Sequence, residues 1–143
     1  MRSETHLKSI MVCAAIVLLG SGYTVAGTWT TLDYPGAIYT NAAGISGSNI
    51  VGSYGDSSGN GHGFLYNGTS WATLDYPGAS SGTGANGISG SSIVGSYGYP
   101  SGSHGFLYNR TSWTTLDYPG AIETAAYGIS GNNVVGWYED GTR

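Results

Sequence analysis

After Cys13 the sequence contains no cysteine, and after Lys8 it contains no lysine. The first absence excludes a disulfide scaffold for everything downstream, so stability there must come from packing, bound metal or assembly. The second leaves Arg110 and Arg143 as the only bases against seven acids: Asp33, Asp56, Asp75, Asp117, Glu123, Glu139 and Asp140. Nucleic acid and anionic membrane are therefore not expected partners, since both need a basic patch to neutralise phosphate. Long apolar runs are scarce too. The longest, Ile10 to Leu19, is half the roughly 20 residues a spanning helix needs. No segment keeps a helical apolar period.

That run has the setting of an export signal. Arg2 and Lys8 supply basic residues before and at its start, and Thr24-Val25-Ala26 ends on a small residue suited to cleavage. Residues 1–26 are expected to be a cleaved leader and residues 27–143 the mature domain. The expected location is secreted, extracellular or cell-surface, with the periplasm as the other compartment an export signal serves, and no membrane attachment after cleavage. A lipidated Cys13 is disfavoured, because Ile10-Met11-Val12 lacks the small residues and leucine of a lipobox.

Glycine is what the sequence has in excess. All but Gly20 and Gly22 of its 26 glycines follow the leader, without a collagen period, which points to many tight turns. They belong to a repeat. Trp29, Trp71 and Trp113 are 42 residues apart and each opens the phrase Trp-(Thr/Ala)-Thr-Leu-Asp-Tyr-Pro-Gly-Ala. Gly-Ile-Ser-Gly follows at 44–47, 87–90 and 128–131. Next come Ile50-Val51-Gly52-Ser53-Tyr54, Ile93-Val94-Gly95-Ser96-Tyr97 and Val134-Val135-Gly136-Trp137-Tyr138. His62-Gly63-Phe64-Leu65-Tyr66-Asn67 recurs once, from His104 to Asn109. A period of this length indicates a repeat architecture.

Length differences between copies fall outside these phrases, as they must if the phrases are strands, because one inserted residue would turn every later side chain to the opposite face. Four strands per unit follow, around Gly44–Ser46, Asn49–Tyr54, Gly63–Tyr66 and Trp71–Tyr76. In the last, alternation makes the face of Ala72, Leu74 and Tyr76 the more apolar. Ser46-Gly47-Ser48-Asn49 and Asn67-Gly68 read as hairpin turns, and Pro35, Pro77 and Pro119 end the Trp strands. The expected fold is all-β, built of four-stranded antiparallel units of about 42 residues, as an incomplete β-propeller or alternatively a β-trefoil-like fold. Eleven strands fall short of the trefoil's twelve and of four propeller blades. Completion is expected from self-association or additional repeats, and Arg143 falls where the other copies continue with His-Gly-Phe-Leu-Tyr-Asn.

Gly-Ile-Ser-Gly with Ile-Val-Gly, followed by His-Gly-Phe-Leu-Tyr-Asn-Gly, resembles the bacterial extracellular repeat family called HAF after its His-Ala-Phe signature. The likeness covers nearly all of residues 27–143, with Gly63 and Gly105 standing where the family has alanine. It implies export and a propeller-like fold, and no chemistry.

Several residue sets could carry function. His62 and His104 recur one period apart, and a strand-end histidine bonding a turn is the simplest account of them. Asp33, Asp75 and Asp117 also recur. A ring of carboxylates could serve glycan hydrolysis or cation binding, but Asp before Tyr-Pro-Gly ordinarily accepts turn hydrogen bonds. Asp56, Ser58 and Asn60 imitate the start of a calcium loop, though the second copy loses the acid and no glutamate stands at position twelve. Tyr39, Tyr99 and Tyr127 vary between copies in segments read as loops, which makes them the candidates for ligand contact, a glycan above all. Asn67-Gly68-Thr69 and Asn109-Arg110-Thr111 match glycosylation sequons. The expected function is an exported, non-enzymatic module with a structural, adhesive or ligand-binding role and no cofactor. A lectin is the alternative, and a propeller hydrolase or lyase is disfavoured for want of a non-repeating acid pair or nucleophile–base set.

Overall fold

Alternating apolar strands punctuated by glycine leave the backbone one economical way to satisfy its polar groups, which is to pair hairpin by hairpin. The computed structural model describes residues 9–13 and 28–141. Two four-stranded antiparallel sheets form its centre. The first has the order β3 (Tyr39–Ser46), β4 (Asn49–Gly55), β5 (Gly61–Tyr66), β6 (Trp71–Leu74). The second has the order β7 (Thr83–Ser89), β8 (Ser92–Tyr99), β9 (Gly102–Tyr108), β10 (Trp113–Thr115). A two-stranded sheet lies at each end of the chain, β1 (Ser9–Cys13) with β2 (Thr28–Leu32), and β11 (Glu123–Ser130) with β12 (Asn133–Glu139). No helix forms among the described residues, and none is long and apolar enough to cross a membrane.

Three details depart from expectation. The first strand of each unit is longer than Gly-Ile-Ser: β3 starts at Tyr39 and is kept in register past Ala42 by a bulge before Gly44. The Trp strands stop at Leu74 and Thr115, short of the Asp-Tyr that precedes proline. Ser9–Cys13, inside the segment read as a leader, pairs with β2. The Gly47-Ser48 turn is as expected, with Ser46 opposite Asn49 and a positive φ at Gly47.

The sheets stack by their faces. Leu32, Ile50, Tyr54 and Phe64 form one buried cluster, packed by Tyr34 and Trp71. Val51, Leu74, Ala85, Ile88, Ile93, Tyr97 and Phe106 form a second between the two larger sheets. The Trp71 and Leu74 faces of β6 are thus both used, one in each cluster, where alternation alone suggested one apolar face. Phe64 and Phe106 are fully buried, and glycine beneath them is a steric need: a β-carbon at Gly52 or Gly95 would come within 2.8 Å of the ring. Thr40 and Thr83, both buried, accept hydrogen bonds from the Tyr34 and Tyr76 amides at 2.9 Å, fixing each Tyr-Pro-Gly turn against the strand that follows it.

Candidate functional site

The repeated histidine and aspartate meet. His62 is the second residue of the third strand of its sheet, and Asp75 follows the fourth; antiparallel pairing sets Gly63 opposite Leu74 and so brings the two side chains to one sheet end. His62 Nδ1 lies 2.9 Å from Asp75 Oδ2 and 3.1 Å from Oδ1. Its Nε2 faces Asp56 Oδ2 at 3.5 Å. Partial burial works to lower the His62 pKa, but the hydrogen bonds and charges of Asp75 and then Asp56 outweigh it and raise the value above 6.5. The His62 ring also stacks on Tyr54, with centroids 5.0 Å apart.

The second sheet repeats the pairing with a different outer partner. His104 Nδ1 lies 2.8 Å from Asp117 Oδ2, and Asp117 Oδ1 accepts the Gly105 amide at 3.3 Å. At His104 Nε2 stands Ser101 Oγ, 3.2 Å away. Ser101, His104 and Asp117 are thereby connected in the order of an acyl-transfer triad. Ser101 is exposed on the β8–β9 turn, and its place beside the ring in the first sheet is taken by Asp56, which has no hydroxyl to activate. The common element of the two sites is the His–Asp pair. Its signal in the sequence was the separation of 13 residues in both copies, which the separate reading of His and Asp as turn-bonding residues passed over.

The Asp56 loop is closed by its own groups. Asp56 Oδ1 accepts the Ser58 and Asn60 amides at 2.8 Å, and Oδ2 accepts Asn60 Nδ2 at 2.9 Å. These bonds, the Asn60 side chain first, hold the Asp56 pKa at about 2. Asn60 turns its amide nitrogen to Asp56, the opposite of what a calcium ligand offers. No cluster of three metal-ligating acids, histidines or cysteines occurs among the described residues. The sequon asparagines are likewise engaged. Asn67 Oδ1 accepts from Thr69 N, Thr69 Oγ1 and Ser70 N, and Asn109 does the same in the equivalent hairpin.

Tyr39, Tyr99 and Tyr127 do not lie in loops. Tyr39 begins β3, Tyr99 ends β8 and Tyr127 sits at the bulge of β11, because strand pairing extends through the segments that vary in sequence. They do not converge on one site. The Tyr39 ring covers Gly55. Tyr99 stands edge-on to His104, and Tyr127 accepts the Trp137 indole N–H at 2.8 Å.

A polar cleft adjoins the first His–Asp pair, and a second shares Ser81 and Gly82 with it. One, of about 460 Å³, runs between the β4–β5 turn and the β6–β7 connection, past Asn60, His62, Asp75, Ser80 and Ser81. The other, of about 250 Å³, is lined by Tyr39, Ser81, Ser96, Tyr97 and Ser103. Comparison with family models, curated proteins and solved structures found no match. The assignment of function rests on these residues.

Proposed function

We propose that the chain is an exported, non-catalytic repeat module of the HAF type, whose sheets are blades of an incomplete propeller and whose role is structural or adhesive, exercised through self-association. The observation that carries this reading is that the recurring histidine and aspartate bond each other within the fold. His62 and His104 are held by Asp75 and Asp117, and the Asp56 carboxylate closes its own loop. Groups committed in this way lock strand ends together. Stacking of whole antiparallel sheets supports the propeller over the trefoil.

The test is turnover. The full chain is expected to release nothing from p-nitrophenyl esters or from a panel of polysaccharides. Ester hydrolysis abolished by Ser101→Ala, or polysaccharide cleavage abolished by Asp75→Asn, would overturn the non-catalytic reading.

A lectin is the second reading, favoured by the 460 Å³ cleft with its hydroxyl, amide and carboxylate walls. A glycan array on the full chain tests it. Binding lost in Ser81→Val, which removes a cleft hydroxyl, or in Tyr39→Ala or Tyr99→Ala, would establish it.

A further inference from the structure

The three copies of the repeat part company at one place. Thr40, Thr83 and Thr124 accept the amides of Tyr34, Tyr76 and Tyr118, and the amides of Ile38, Ser80 and Ile122 bond the carbonyls of Gly55, Gly98 and Glu139. These shared anchors set the segments after each Tyr-Pro-Gly turn in one frame. In the first and third copies a single large residue lies between the anchors, Tyr39 and Glu123. In the second its place is taken by Ser81 and Gly82, and serine replaces the isoleucine before it.

The exchange opens space. The Tyr39 ring covers Gly55, and the Glu123 side chain lies against Gly102, where a β-carbon would come within 3.0 Å of its Cγ. In the second copy the small Ser81 side chain covers Gly98, and Gly82 approaches Gly61 so closely that a β-carbon would stand 2.7 Å from the Gly61 carbonyl oxygen. The cleft of about 460 Å³ past Asn60, Asp75 and Ser80 and the cleft of about 250 Å³ past Ser96 and Ser103 meet at these two residues. The larger has the volume of an ordinary ligand pocket, about 300–1,000 Å³, and the smaller prolongs it along the seam between the two larger sheets.

The walls define what fits. The hydroxyls of Ser81, Ser96 and Ser103 make no hydrogen bond to another described residue, so each can donate to a ligand and accept from it. The Asp75 side chain is 48% exposed and keeps lone pairs beyond the bond it makes to His62. No lysine or arginine lines either cleft, and Asp56 and Asp75 outnumber His62 whatever its protonation, so the field at the rim repels an anion. Tyr97 is stacked between Tyr76 and His104, which takes up its faces and leaves recognition to hydrogen bonds.

We infer that the joined clefts bind a neutral oligosaccharide through its hydroxyls, and that glycans bearing uronate, sulfate or phosphate are excluded. The inference rests on the lectin reading proposed above and names the class and the seat of its ligand. The seat belongs to one junction of the repeat, the one where Ser80-Ser81-Gly82 replaces Ile-Tyr and Ile-Glu.

The experiment places the full chain on an array of neutral, uronic-acid and sulfated glycans and measures the affinity of the best probe by calorimetry. Neutral chains of two or more sugars should bind, and the acidic glycans should not. Replacing Ser80-Ser81-Gly82 by Ile-Tyr, the pair at 38–39, fills the cleft with residues the fold already accepts in that frame and should weaken binding by roughly tenfold or more. Ser96→Ala removes one hydroxyl without adding bulk and should weaken it roughly three- to tenfold. It carries the test alone if circular dichroism shows that the exchange disturbs folding. Absence of binding to every glycan overturns this inference and the lectin reading together. Binding that the variants retain in full, or that acidic glycans share equally, overturns the seat or the class named here and leaves the lectin reading standing.

Discussion

Tyr34 lies flat on Tyr54, ring centroids 3.6 Å apart and planes within 6°, and the hydroxyls of both reach Thr73 Oγ1, at 2.7 and 2.9 Å. Tyr34 leaves β2, Tyr54 belongs to β4 and Thr73 to β6, so one contact joins the end of one sheet to an inner strand and the last outer strand of the next. Tyr76 repeats it on Tyr97 and Thr115, and Tyr118 stacks on Tyr138 at 3.9 Å. The Asp-Tyr-Pro-Gly phrase thus has two jobs: Asp75 and Asp117 pair with the histidine of the sheet they leave, and the tyrosine pins the sheet that follows.

Burial, followed by the hydrogen bond and charge of Tyr34, raises the Tyr54 phenol to about 12, against the opposing bond from Thr73. A raised folded-state value favours the neutral form, so the stability it contributes is whole below pH about 10, where the unfolded phenol titrates, and is lost as pH rises toward 12. Tyr54→Phe should flatten this alkaline loss in urea midpoints measured across that range. A variant as alkali-sensitive as the wild type would remove Tyr54 as its source.

Phe64→Ala should cost about 3–5 kcal/mol, the range for emptying an aromatic site in a close-packed core. Gly52→Ala should also destabilise severely, since its β-carbon would collide with the Asn41 carbonyl. Thr114→Ala, at an exposed position on β10, should change stability by no more than about 0.5 kcal/mol. Chemical denaturation of the three variants checks the order.

The strands and their hairpins were legible because glycine turns and period-2 alternation are local signals. Gly47 announced its turn, and the varying segments between phrases absorbed every length difference. The His62–Asp75 pairing was less legible. A spacing of 13 residues across a hairpin becomes a contact only when the register is known, and the register depends on which residue of Tyr66-Asn67-Gly68-Thr69-Ser70-Trp71 turns the chain. Tyr39, Tyr99 and Tyr127 were misplaced for a related reason. Sequence variation between copies was taken for loop, whereas backbone pairing tolerates any side chain that fits the face.

His62, with its pKa raised above 6.5, contributes stability that is complete below the unfolded value and is lost as pH rises through the folded one. Asp56 has the opposite sign: held at about 2, its contribution is present above 3.8 and lost as pH falls toward 2. The wild-type urea midpoint should therefore decline as pH rises above 6.5, and His62→Gln should abolish most of that decline while keeping the acid limb. If His62→Gln and the wild type decline in parallel, the His62–Asp75 pair does not supply the neutral-pH dependence.

Arg110 is the one non-glycine residue with a positive φ among those described, at 73°, where the equivalent hairpin has Gly68 at 98°. Its neighbours account for the conformation. Asn109 Oδ1 draws in the amides of Thr111 and Ser112 at 3.0 and 2.8 Å, and the Asn109 amide bonds the Ser112 carbonyl at 3.2 Å, so the tight turn is imposed on whatever residue follows Asn109. A side chain in this region costs on the order of 1 kcal/mol, which glycine does not incur, although glycine's freer unfolded chain takes back part of the gain. Arg110→Gly should accordingly raise stability by about 0.5–1 kcal/mol, while Gly68→Arg should lower it by a similar amount. Reciprocal shifts in thermal midpoint would tie the effect to the turn; a loss in both variants would assign Arg110 a contact worth more than its strain.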